Sequence, residues 1–158
     1  MDIRKYQEGD AQGLMELYNE TTTRYNLKDL NEEQKRVMIF PDVFFFKQFL
    51  IGKICFVLEE ENEIKGFITL EDENESLGYI RCLYVDLDEV GKGYGRKLME
   101  FIQNYAKSRG FLKLYLHASR YATRNRTYES LGFEDKGDED HEIARVMFTS
   151  RRMEKSLD

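Results

Sequence analysis

The sequence predicts one mixed α/β (α+β) domain, and three observations carry that expectation. Residues 77–116 run apolar strand, amphipathic helix, alternating strand, a βαβ-like order that makes part of the sheet parallel. Upstream, consecutive apolar runs are joined by short acidic turns, which should pair them antiparallel. The chain has a single proline, Pro41, and no Ser- or Gly-rich linker, so all 158 residues are expected to form one domain, 1–158.

Taken in order, Ile3-Arg4-Lys5-Tyr6 alternates as a short strand does. Leu14, Met15, Leu17 and Tyr18 mark one face of a helix, with Asp10 as its expected N-cap. After a polar stretch from Thr21 to Asp29, Asn31 and Gln34 have the spacing of a capping box opening a second helix. The segment Asp42 to Leu50 carries Phe44, Phe45, Phe46 and Phe49, and such aromatic density on all sides of a short helix predicts core packing.

Strands follow. Ile54 to Leu58 is a buried-type apolar run ending at the acidic turn Glu59 to Glu63. Ile64 to Leu70 is the second strand, Glu71 to Ser76 closes a hairpin, and Leu77 to Val85 is a longer third strand. Leu98, Phe101, Ile102, Tyr105 and Ala106 then recur at helical spacing, with Gly110 as the stop. Leu112, Leu114 and Leu116 alternate with Lys113, Tyr115 and His117, a strand signature. A shorter helix is expected from Tyr121 to Ser130, closed by Gly132. An acidic loop, Asp135 to Asp140, and a last strand, Ile143 to Thr149, complete the chain.

Composition excludes several classes. The formal charge is −6 with a pI near 5.1, so no basic bias marks a nucleic-acid partner. Cys55 and Cys82 sit in apolar runs and read as reduced, buried thiols, and His117 and His141 are too few for a structural zinc site. No apolar run approaches a membrane span, and the N-terminal stretch lacks a signal peptide's apolar segment; the expectation is a cytoplasmic protein without a membrane partner.

The chemistry-bearing feature is the turn Gly91-Lys92-Gly93-Tyr94-Gly95 with Arg96, between an apolar strand and an amphipathic helix. Alternate glycines let backbone pass close to a ligand. The N–H groups of the turn and first helical turn then converge where the helix dipole favours negative charge. Lys92, Arg96 and Lys97 add positive charge, so the segment reads as a phosphate or pyrophosphate cradle. It lacks the ending of a P-loop and the spacing of a dinucleotide fold.

The stretch Leu83-Tyr84-Val85, then GKGYGRKL, then Tyr128-Glu129-Ser130-Leu131-Gly132-Phe133 resembles the GCN5-related N-acetyltransferase (GNAT) family over roughly residues 54–148. The resemblance implies a mostly antiparallel central sheet with splayed central strands and helices on both faces. It implies acetyl-CoA as co-substrate and no metal. The pantetheine arm would bond to backbone groups of Leu83, Tyr84 and Val85, and the phosphates would lie over Gly91 to Arg96. Tyr128 matches the tyrosine that protonates the leaving thiolate, and Asn125 is a coenzyme contact off the family's register, since Tyr121 and Arg124 hold the usual Asn and Ala places. Val90 stands where the family usually carries Gln or Arg.

His117, ending a strand expected to line the cleft, is a candidate base, with Glu71 and Asp86 as further strand-end carboxylates and a water-relayed base as the equal alternative. Arg81 occupies a place where some relatives carry a carboxylate base. Cys82 is rejected as an acyl carrier because an apolar thiol is a poor nucleophile. The resemblance implies an amine acceptor (small molecule, peptide or protein lysine), and the acidic turns Glu71 to Glu75 and Asp135 to Asp140 suit a cationic one. The resemblance also admits a homodimer through the last strand. The competing expectation is a catalytically weak acyl-CoA-binding sensor or interaction module on the same fold.

Overall fold

A computed structural model of the chain describes residues 2–74, 76–89, 91–119 and 125–158, with the backbone alone at Asn125 and Arg126. Its elements are β1 (Asp2–Lys5), α1 (Ala11–Thr21), α2 (Glu32–Met38), α3 (Val43–Leu50), β2 (Ile54–Glu60) and β3 (Glu63–Asn74). Then come β4 (Leu77–Ile80), β5 (Leu83–Val85), α4 (Tyr94–Ser108), β6 (Lys113–Ala118), α5 (Asn125–Ser130), β7 (Glu134–Ile143) and β8 (Val146–Ser156). The sheet order is β1-β2-β3-β4-β6-β8-β7, with β5 paired to β3. All these pairings are antiparallel except β4 with β6.

Strand alternation sends side chains to two cores, one on each face of the sheet. Phe56, Leu58, Ile68 and Leu70 join the Leu98, Met99, Ile102 and Ala106 stripe of α4. Their neighbours Cys55, Val57 and Phe67 face α1 and α3 through Leu14, Tyr18 and Phe46. Helix α4 starts at Gly93 in the left-handed region (φ 85°). It ends in a Schellman arrangement at Gly110, with Phe111 N–H donating to Ala106 O at 3.0 Å and Gly110 N–H to Lys107 O at 3.1 Å. The Asn31–Gln34 capping box of α2 forms reciprocally, at 2.8 and 3.0 Å.

Several expectations need correction. Asp10 makes no side-chain cap to α1; its carboxylate takes the Arg4 guanidinium at 2.9 and 3.0 Å and the Gln7 N–H at 2.8 Å. On α3, Phe46 is buried, whereas Phe44 and Phe45 are 60% and 51% exposed and pack edge-on against each other. Strand β3 runs on to Asn74, so the segment after Leu70 is mostly strand. The acidic segment Asp135 to Asp140 is also strand: β7 and β8 form one long hairpin turned at Ala144 and Arg145, both with positive φ. Arg151 and Arg152 on β8 neutralise its carboxylates, with Arg151 on Asp135 at 2.6 Å and Arg152 on Glu139 at 3.2 Å.

The expected strand Leu77 to Val85 breaks at Arg81–Cys82. There the Thr69 hydroxyl accepts from Cys82 N–H at 3.0 Å while Thr69 N–H donates to Cys82 O at 3.0 Å. The half before the break pairs with β6 as far as Ile80–Leu116; the half after it, β5, pairs with β3 alone. A gap therefore opens between β5 and the end of β6.

Candidate active site

That gap leads into a cleft of about 360 Å³ floored by both halves of the broken strand and roofed in part by α1, α2 and α3. Its edge chemistry follows from the β3–β5 register. Asp86 N–H donates to Lys65 O at 2.8 Å and Thr69 N–H to Cys82 O, so the hydrogen-bonded pairs are 65–86, 67–84 and 69–82. Leu83 and Val85 fall in the alternate pairs, and their backbone N–H and C=O groups point away from β3, into the gap. No strand among the described residues pairs with that edge. Tyr84 differs: its backbone groups face β3, and its ring is buried, stacked on Phe67 and tilted against Tyr18.

At one end of the gap stands the N-terminus of α4. Gly91 and Gly93 have φ of 91° and 85°, which glycine alone adopts cheaply, and a Cβ on either would meet nothing within 4 Å. Gly95 is ordinary helix, and a Cβ there would only touch Val85 at 3.7 Å. Lys97 N–H donates to Gly93 O at 3.1 Å, so the amides of Tyr94, Gly95 and Arg96 lie ahead of the first intrahelical bond, and the N-cap residue, a glycine, has no side chain to cap them. These donors and the open space over the two glycines fit a phosphate group.

The side chains there do less than the sequence suggests. Lys92 is paired to Glu89 at 2.7 Å, beside Lys65 at 3.1 Å, and these cations hold the Glu89 carboxyl below its ordinary pKa. The Tyr94 ring turns inward, and its hydroxyl donates to Glu60. Arg96 donates to Ser130 Oγ at 3.1 Å, tying the start of α4 to α5. Val90, Tyr121 and Arg124 lie outside the described residues, as does the Asn125 side chain.

Tyr128, on α5, lines the cleft with Leu83, Ala118 and Ser119, and its ring meets Phe133 edge-on at 6.2 Å. Cys82 is fully buried, and burial raises its thiol to about 12. Glu71 forms a two-point ion pair with Arg81, at 2.6 and 3.3 Å. Asp86 caps the turn after β5, accepting from Asp88 N–H at 2.9 Å, and does not line the cleft.

His117 does line it, with both ring nitrogens engaged: Nδ1 lies 3.0 Å from Tyr79 Oη and Nε2 2.7 Å from Glu139 Oε2. His141 stacks on it, with centroids 4.0 Å apart and planes within 7°. Burial, then the neighbouring His117, lowers the His141 pKa to about 4. Glu139, Tyr79 and His141 were not among the sequence candidates. Glu139 sits in the segment expected to be loop, so only the hairpin register reveals its place.

A broken central strand with an edge that no described strand pairs, beside a glycine-opened helix, differs from the continuous parallel sheet of a dinucleotide fold. The family model for the acetyltransferase (GNAT) domain matches residues 52–135, and the chain belongs to that family. No curated protein matches the chain in sequence. Among solved structures, a GCN5-related N-acetyltransferase from Rhodopseudomonas palustris superposes with a TM-score of 0.82 at 24% identity, over 98% of this chain and 94% of that one. The PaiA N-acetyltransferase from Thermoplasma acidophilum, in complex with coenzyme A, gives 0.76 at 20% identity over 98% of both chains. YncA from Salmonella typhimurium, with its cofactor acetyl-CoA, gives 0.71 at 21% over 100% of this chain and 94% of that one. At such identities these likenesses show the fold. Among the described residues, no helix is long and apolar enough to cross a membrane.

Proposed function

We propose that this protein transfers the acetyl group of acetyl-CoA to a primary amine by direct attack. The observation that carries this reading is the β5 edge: the backbone groups of Leu83 and Val85 face a gap that no strand among the described residues fills, next to the amides of Tyr94, Gly95 and Arg96. A pantetheine arm has the amide spacing to act as the missing strand, and the pyrophosphate would rest on the helix amides. The Leu83 N–H would face the thioester oxygen as it gains charge. Tyr128 would protonate the departing thiolate from across the cleft.

The acceptor enters from the side of α2 and the β7–β8 hairpin, where polar Gln34, Thr149 and Ser150 stand among apolar Met38, Ile143 and Phe148. Among the described residues Asp29 is its one acidic lining residue, while Glu71, Asp135, Asp138 and Glu139 are each bonded to an arginine. That favours a small amine over a polycation.

The test is calorimetric titration with acetyl-CoA, followed by thiol release against a panel of arylalkyl amines, amino acids, polyamines and lysine peptides. Binding with turnover of at least one amine supports the proposal. Tight binding with no turnover across the panel supports the acyl-CoA sensor reading instead.

A further inference from the structure

Histidine 117 cannot meet an acceptor amine directly, because both its ring nitrogens are occupied. The tautomer follows from its partners. Burial pulls the Glu139 carboxyl upward, yet the hydrogen bonds from His117 and Arg152 outweigh that and hold it below the usual carboxylate value. Ionised Glu139 can only accept, so Nε2 carries the proton. In the neutral ring Nδ1 is then a bare lone pair, and the Tyr79 hydroxyl must donate to it. Tyr79 and His117 both line the cleft that an acceptor would enter, which puts the outer end of this hydrogen-bonded chain at Tyr79.

From this geometry we propose that Tyr79, His117 and Glu139 form a proton relay that withdraws the proton from the acceptor amine. The inference rests on the acetyltransferase reading above. Tyr79 is the group that touches the amine, His117 the base behind it, and Glu139 the positioning residue that fixes the tautomer.

The acceptor ammonium gives one proton to Tyr79 Oη as the Tyr79 proton passes to His117 Nδ1, which leaves an amine and an imidazolium. The amine nitrogen then bonds to the acetyl carbon and the C–S bond breaks. The thiolate takes a proton from Tyr128, and the second nitrogen proton makes good that loss through solvent. The imidazolium releases its proton to solvent.

The surroundings fit a single mobile positive charge. Around His117 stand Tyr79 on β4, Tyr115 on β6, Glu139 and His141 on β7, with Arg152 of β8 behind Glu139; Arg81 and Asp140 act on the stacked His141. Arg81 lies over the Tyr79 ring at 4.8 Å and Arg152 over Tyr115 at 3.9 Å, and the two tyrosines stack at 4.6 Å, which locks the Tyr79 ring in place. Arg81 is balanced by Glu71, and Arg152 by Glu139 and Glu154. His141 stays neutral against the His117 face, so the stack carries no second cation to oppose the first.

The experiment combines kinetics with ring NMR on the intact protein. Tyr79→Phe is expected to lower kcat about 100-fold while the KM for acetyl-CoA stays within about twofold. Glu139→Gln removes the charge that favours imidazolium, so the acid limb of the kcat profile moves to lower pH by about one unit. Nitrogen-15 shifts of His117, assigned with His141→Gln, should report an Nε2–H, Nδ1-acceptor ring at neutral pH. A ring protonated on Nδ1, or both variants turning over like wild type with the same profile, overturns the relay while leaving the acetyltransferase reading intact. A wild-type protein that turns over no amine overturns both together.

Discussion

Replacing Gly66 with alanine tests the link between sheet geometry and the cleft. Gly66 lies in β3 opposite Val85, and a Cβ there would sit 2.8 Å from Tyr84 O and 3.1 Å from Leu98 Cδ1. The leucine methyl can rotate away, but the carbonyl belongs to β5 backbone. Ordinary carbon–oxygen contact begins near 3.3 Å, so β5 must shift by roughly 0.5 Å. It can move only toward the gap, because β3 holds its other side. Overpacking of this kind costs about 1–3 kcal/mol, and we expect about 2 kcal/mol here. The shifted edge should also weaken acetyl-CoA binding about tenfold, since sub-ångström errors at a reacting site are expensive. Urea denaturation gives the first quantity and calorimetry the second, with Gly9→Ala, whose Cβ meets nothing within 4 Å, as control. Stability within 0.5 kcal/mol of wild type together with unchanged affinity would refute the reasoning.

Three further predictions follow from the site and its surroundings. Tyr128→Phe should lower turnover about 100-fold with acetyl-CoA affinity nearly unchanged; an unaltered rate removes Tyr128 from the mechanism. Cys55 and Cys82, both raised to about 12 by burial, should resist a disulfide reagent at pH 8 in the native protein and react within seconds in denaturant. His141, lowered from 6.5 to about 4, favours the fold fully above pH 6.5, and that contribution is lost as pH falls toward 4, because the unfolded chain takes up the proton first. Allowing for solvent around a half-buried ring, wild type should lose on the order of 1 kcal/mol more than His141→Gln between pH 7 and 5. Equal losses in urea titrations would show that the ring titrates normally.

The elements that alternate or repeat cleanly were legible in the sequence: β1 to β3, the capping box of α2, and α4 from its glycine start to its glycine stop. What escaped did so for physical reasons. The break at Arg81–Cys82 lies within a run that is apolar but for Arg81, and it depends on the hydroxyl of Thr69, a distant residue. Strand β7 reads as loop because its carboxylates run consecutively with no apolar alternation, yet arginines on β8 pair with Asp135, Asp138 and Glu139, and its turn uses Ala144 and Arg145 rather than Asn or Gly. Missing that strand hid Glu139 and therefore the true setting of His117. The glycine turn was visible as a motif, but the inward rotation of Tyr94 and the pairing of Lys92 to Glu89 are tertiary facts.

The unpaired edge of β5 has a thermodynamic corollary. An eight-stranded sheet that, among the described residues, leaves the three residues of β5 paired on one side only has part of its folding free energy held in reserve. Any ligand that completes the ladder binds the native chain and not the unfolded one, so occupancy and resistance to melting rise together. At a ligand concentration a hundred times Kd the gain is about 2.7 kcal/mol, comparable with losing or restoring a core side chain. The chain's lifetime in a cell would then track the supply of the molecule that fills the gap.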